Sequence, residues 1–311
     1  MSKKTLCLLY MPILLYLFLF PAESFQASLC GVNLWFDTVL PSLLPFLILS
    51  NILFSVVLPD TIMKRLAQFT EKWLRCSPFT LYACGIGILC GYPMGAKLSS
   101  DLLLKKRISK SEAQFILCCA NQVSPMFINT YIGVYVFQGN RKLLNLFTFI
   151  FYLSVFTTIF SLHLYRISKK SPPETIGTKK EVPNEHSQGA LLDTSIMNGF
   201  ETITRLGGYI ILFSIYGSLI KKLTVQTPVL HVLSSNLLEL TSGLAVLQSS
   251  NYSSNTKLLL ALFSATFGGI STIYQTKCVI AGSKLSILYY VCIKLIQTLI
   301  ALLLGLIFII L

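Results

Sequence analysis

Apolar runs recur along the chain at residues 6–20, 35–58, 79–104, 111–137 and 143–165, and again at 209–220, 237–247, 258–280 and 285–311. About 20 apolar residues suffice for a helix to cross a bilayer. The pattern therefore predicts an all-α, polytopic integral membrane protein. Several runs are interrupted, most sharply at Cys90-Gly91-Tyr92-Pro93-Met94-Gly95-Ala96-Lys97. Pro93 lacks the N–H that a helix interior needs and disfavours the helical conformation at Tyr92. Broken backbone at membrane depth survives only where it is buried in protein or lines a wet cavity. Such a break is a candidate binding site, as in transporters with discontinuous helices. The structural alternative is a kink that lets two helices pack closely, since glycine also serves helix contact.

Further interruptions predict more broken or re-entrant helices. Asn121-Gln122-Val123-Ser124-Pro125 divides the run at 111–137, and Gly268-Gly269-Ile270-Ser271 divides that at 258–280, with Gln275 and Lys277 beyond. Pro41 and Pro45 fall in the run at 35–58, and Gly207-Gly208 precede that at 209–220. The chain thus divides into a membrane helix and short external loop (1–34), a first membrane repeat (35–165), a polar linker (166–189) and a second repeat (190–311). The repeat pairs the glycine break at 91–95 with that at 268–271, each followed by a lysine, Lys97 or Lys277. Glycine-interrupted segments in matching places of two halves point to a transporter binding site. Lys3 and Lys4 before the first run, and a weak lipoprotein box at Ala27-Ser28-Leu29-Cys30, favour an uncleaved first helix with its N-terminus inside.

Only 12% of the 311 residues are charged, against about 25% in soluble domains. The net charge of +13 sits mostly in short runs between apolar segments, which fits cytoplasmic loops and anionic lipid rather than nucleic acid. Basic residues on both sides of 79–104 predict a hairpin that enters and leaves on the cytoplasmic side, as do the loops at 60–77 and 166–189. The nine cysteines contain no CxxC and read as small apolar packing residues, and the three histidines are scattered. Neither a metal nor another cofactor is expected, and no nucleophilic triad or phosphate loop can be assembled, so enzyme activity is not expected. Glu239 is the acid placed within the membrane, beside Thr241, Ser242 and Gly243. Intramembrane acids default to function, and Glu239 is a candidate for proton coupling or a ligand hydrogen bond. The alternatives are an interfacial position or a cap formed with Thr241 and Ser242. Lys97 and Lys277 either attract an anion or snorkel to headgroups. Asn121 and Gln275 offer paired donors and acceptors for a polar solute or for helix–helix bonds.

The motifs Trp35-Phe36-Asp37 through Pro45-Phe46, Gly91-Tyr92-Pro93-Met94-Gly95-Ala96-Lys97 and Asn121-Gln122-Val123-Ser124-Pro125-Met126-Phe127-Ile128 resemble the first half of the sporulation integral membrane protein YlbJ family. Gly207-Gly208-Tyr209-Ile210, Glu239-Leu240-Thr241-Ser242-Gly243 and Phe267-Gly268-Gly269 through Gln275 resemble its second half. The family is grouped with nucleoside-recognition, or Gate, domain proteins. The resemblance implies a multi-pass protein of the cell membrane in endospore formers, on the mother-cell side at the outer forespore membrane, that transports dipicolinic acid. The substrate-binding candidates are Gly91, Tyr92, Pro93, Gly95, Lys97, Asn121, Gln122, Ser124, Glu239, Thr241, Ser242, Gly268, Gly269, Ser271 and Gln275. The expected partners are a small solute such as dipicolinate and the lipid bilayer, with oligomeric state open. The rival readings are a non-transporting membrane scaffold or signalling partner in spore assembly, and a nucleoside carrier. Solute uptake separates transport from the first, and competition between dipicolinate and nucleosides separates it from the second.

Overall fold

The computed structural model describes residues 3–55, 67, 70, 76–168, 188–224 and 228–310. Among these there are helices and no strand. By length and composition, Arg141–Ser168, Gly189–Leu223, Ser254–Val279 and Ile287–Ile310 can each cross a membrane. Their outward surfaces carry large apolar side chains such as Phe156 (71% exposed) and Leu288 (72%). A water-facing surface rarely shows such patches, whereas lipid tolerates them. The chain is an all-α polytopic membrane protein.

The helices are α1 (Lys3–Leu19) and α2 (Pro21–Asn33), the latter running through a π-helical stretch (Leu34–Val39) into α3 (Leu40–Ser55). Then come α4 (Pro78–Cys90), α5 (Met94–Leu104) and α6 (Lys110–Ala120). A turn at Pro125–Phe127 opens into a second π-helical stretch (Ile128–Val136), followed by α7 (Arg141–Ser168). The second half contains α8 (Gln188–Thr224), α9 (Pro228–Leu238), α10 (Leu240–Gln248), α11 (Ser254–Phe267), α12 (Gly269–Val279) and α13 (Ile287–Ile310). Helices α1 and α2 meet at a 115° bend where Pro21 begins the second.

Two long helices form a seam between the halves. Gly31 packs against Ile211 and Ser214, and Gly199 against Leu44 and Ile48, so α2–α3 and α8 run antiparallel. Neither Pro41–Pro45 nor Gly207-Gly208 interrupts its helix, contrary to expectation. Pro45 lies within α3, and α8 continues for 37 residues. Gly207 leaves room for Trp35, whose indole N–H donates to Ile203 O (2.9 Å). Here glycine serves contact rather than breakage.

Helices α4 and α5 form the hairpin that charge predicted. Arg107 lies over the Phe79 ring at 5.7 Å, so both mouths of the hairpin open at one end of the molecule. Glu112 fastens that end: its carboxylate accepts from Ser77 N (2.6 Å), Ser109 N (3.2 Å) and the Thr80 hydroxyl (3.3 Å), and pairs with Arg166 at 3.8 Å. This buried acid is structural, and its Ser109-x-x-Glu112 spacing is a capping box visible in sequence.

From that end α6 enters, breaks at Asn121-Gln122-Val123-Ser124, and leaves through the π-helical stretch. Helix α7 returns, with 28 residues or about 42 Å of length. The second half repeats this order from the opposite end: long helix α8, hairpin α9–α10, broken crossing α11–α12, and long helix α13. Helices α7 and α13 are antiparallel, with Phe149 on Phe308 (5.5 Å) and Gln114 near the start of α13 bonded to Ser286 O (3.1 Å). The structural correspondence therefore differs from the one glycine suggested. The break at Gly91-Tyr92-Pro93 takes the place of Glu239, and that at residues 121–124 takes the place of Gly268-Gly269.

The predicted cytoplasmic loops at 60–77 and 166–189 lie almost wholly outside the described residues. Their flanks, Cys76 and Arg166, stand at the end that carries Lys105, Lys106, Arg107 and Lys110. In a cysteine-depleted background, Lys106→Cys should label with an impermeant reagent only after permeabilisation, and Asn140→Cys from outside intact cells. The reverse pattern inverts the assignment.

Candidate functional site

The tips of both hairpins and the breaks of both divided crossings meet at the centre. Gly91 has φ 82° and packs against Ser124, where a β-carbon would come within 2.8 Å. Gly268 and Gly269 have φ 83° and 80°. A β-carbon on Gly268 would lie 3.0 Å from the Tyr92 hydroxyl, and one on Gly269 3.2 Å from Glu239 Cα. Glycine is required here twice over, for backbone in the left-handed region and for close approach.

Asn121 is fully engaged. Its Oδ1 accepts from Ala96 N (3.4 Å), near the amino end of α5. Its Nδ2 donates to Thr276 Oγ1 (2.9 Å) and to the Tyr290 hydroxyl (3.0 Å). One amide thus joins four segments. Gln122 faces Gln297 with both amides within 3.1 Å, and its Nε2 also donates to Cys118 O (3.3 Å). Gln122 Oε1 accepts from Lys294 Nζ at 2.6 Å. Ser124 caps the turn after the break by accepting from Phe127 N (3.2 Å).

Lys294 is the residue that sequence reading missed. It lies in the first third of α13, is fully buried, and its ammonium sits over the rings of Tyr92 (5.1 Å) and Tyr290 (5.9 Å). The Tyr92 hydroxyl is buried beside that of Tyr290 without a hydrogen bond of acceptable geometry. The signal was present: Tyr290, Lys294, Gln297, Thr298, Ala301 and Gly305 recur at helical spacing on the buried face of an otherwise apolar span. A lone cation with an amide three residues away and a hydroxyl four residues away is not a lipid-facing pattern.

The other predicted residues separate. The Glu239 carboxylate caps α10, accepting from Thr241 N (3.0 Å), Thr241 Oγ1 (2.6 Å) and Ser242 N (2.6 Å). Tyr131 ties the neighbouring π-helical stretch to this tip by donating to Thr241 O (3.0 Å). Lys97 pairs with Asp101 at 3.4 Å, one turn along α5. With Gln275 it lines a separate cavity of about 100 Å³, alongside Arg205 and Tyr209. Gln275 also donates to Ser271 Oγ (3.1 Å). Lys277 lies over Tyr274 at 5.9 Å. The centre is therefore held by Tyr92, Asn121, Gln122 and Lys294, with Pro93 and Gly95 shaping the first hairpin tip and Lys97 set toward α8. In chemical terms the centre presents fixed donors and a single ammonium, a set that suits an acceptor-rich or anionic group.

No family model matches the chain, and no solved structure matches it. Sporulation integral membrane protein YlbJ of Bacillus subtilis (strain 168) is 25% identical over 300 residues, covering 85% of this chain and 72% of that protein. The chain is a relative of sporulation integral membrane protein YlbJ, the family its motifs resemble.

Proposed function

We propose that the protein is a secondary transporter of a small anionic solute, and that the solute is dipicolinate or a similar carboxylate moved during endospore formation. The observation that carries this reading is the meeting of two hairpin tips and two broken crossings around a buried polar cluster. Irregular backbone at this depth is stable only when it is buried or lines a cavity, and discontinuous helices in inverted halves are how many transporters build a central site. The chain contains no ATP-binding motif, so the driving force is an existing gradient. The name of the similar protein, sporulation integral membrane protein YlbJ, supports a role in the membrane of a sporulating cell, and we assign the outer forespore membrane, on the mother-cell side, as part of the same proposal.

Vesicles containing the purified protein should take up radiolabelled dipicolinate in a saturable manner, competed by unlabelled dipicolinate and not by nucleosides. Uptake no greater than in empty vesicles favours a membrane scaffold. Competition by nucleosides favours a nucleoside carrier.

A further inference from the structure

Among the described residues Lys294 has no anionic partner in its surroundings. Among the described residues the ion pairs are Lys97–Asp101, Arg166–Glu112, Arg205–Glu201 and Lys222–Glu23. The groups found beside its ammonium are neutral: Tyr92 from the first hairpin, Cys118, Cys119 and Gln122 from α6 and its break, and Tyr290 and Gln297 from α13 itself. Glu239, the acid of the opposite hairpin tip, has its oxygens occupied by the cap on α10. A cation removed from water without a counter-charge is strongly disfavoured, so the fold retains at its centre a group whose partner it does not supply.

Tyr92 shows where that partner would sit. Its ring lies under the Lys294 ammonium, and its hydroxyl reaches Gly268, the residue that ends α11 and begins α12. The first N–H groups of a helix have no partner within it and carry partial positive charge. The ammonium, the Tyr92 hydroxyl and the amino end of α12 thus border one place. We propose that Lys294 is the counter-charge for a bound carboxylate, with Tyr92 donating to the same anion. This rests on the transport reading and deepens it by naming the residues, Lys294 and Tyr92, that take the carboxylate. Its binding test stands apart from transport.

The test uses full-length purified protein in nanodiscs, with dipicolinate and its neutral dimethyl ester as probes, read by equilibrium binding and melting temperature. Dipicolinate should bind and the diester should not. Lys294→Met should weaken dipicolinate binding about 10- to 100-fold, the range of a charge-assisted hydrogen bond. It should also raise the melting temperature of the ligand-free protein, because the buried charge is gone; a merely structural lysine would lower it. Lys294→Arg should keep part of the affinity. Binding to Lys294→Met within twofold of native, or equal binding of acid and diester to native protein, overturns the inference. If Lys294→Met does not fold, Lys294→Gln, which keeps a donor toward Gln122 without the charge, is read by the same criteria. If another small carboxylate binds through Lys294 while dipicolinate does not, the lysine assignment stands and the solute in the transport reading fails. If no carboxylate binds native protein, the inference is wrong.

Discussion

Alanine at position 95 will lower the melting temperature and the membrane level of the protein, whereas alanine at position 85 will not. Both glycines belong to the first hairpin. A β-carbon on Gly95 would lie 2.6 Å from Ala120 O and Asn121 N, which are backbone atoms at the end of α6. Backbone cannot rotate aside, so α5 must move away from α6. Overpacking of a tight interface costs about 1–3 kcal/mol, and a backbone clash belongs at the upper end. The displacement also stretches the bond from Ala96 N to Asn121 Oδ1, and with it the amide that ties the first half to Thr276 and Tyr290. Gly85 has nothing within 4 Å of its β-carbon position, so alanine there is neutral or gains up to about 1 kcal/mol of helix propensity. Equal melting temperatures for the two variants would show that the hairpin is not packed as described. The second hairpin contains the same device, with Gly243 set against the backbone of Asn236.

Glu239→Ala should destabilise the protein by about 1–2 kcal/mol, because it strips the cap from α10 and leaves partly buried N–H groups at Thr241 and Ser242 without an acceptor. Glu239→Ser or Glu239→Asp should recover part of the loss, since short oxygen-bearing side chains are effective N-caps. Glu239→Gln should be intermediate, with one oxygen for three donors. The instructive variant is serine, which keeps a cap and has no carboxylate. Solute uptake per folded molecule should stay close to wild type. Loss of uptake in a serine variant with normal stability would assign the carboxylate a part in transport beyond capping, which is the role that position alone suggests.

Where the chain breaks was legible from sequence. Gly91, Pro93, Gly268 and Gly269, and the polar group at residues 121–124, interrupt apolar runs for reasons local to the backbone, and helices end there. Whether a glycine breaks a helix or admits a neighbour is not local. Gly207 has the same identity as Gly268, but it faces Trp35 across the seam and its helix continues. For the same reason the repeat was paired through its glycines, while the order of hairpins and crossings matches the Gly91 tip to an acid. Lys294 was overlooked because hydropathy averages a span and hides which way each residue points; only its spacing from Gln297 and Thr298 shows that it faces inward. Glu239 stood out because it is charged, and the donors its carboxylate accepts from belong to the two residues before Gly243, Thr241 and Ser242.

The opposed entry of the two hairpins makes the scaffold nearly symmetric between the two faces of the bilayer. Halves that run in opposite senses present equivalent backbone to both faces of the bilayer, so the scaffold itself does not distinguish inward from outward. The distinction is restored by side chains. One tip carries the ring and hydroxyl of Tyr92, the other a carboxylate bound to its own helix, and the single ammonium comes from the second half alone. What distinguishes the two faces in this molecule is thus a few residues at the centre, and not the course of the backbone.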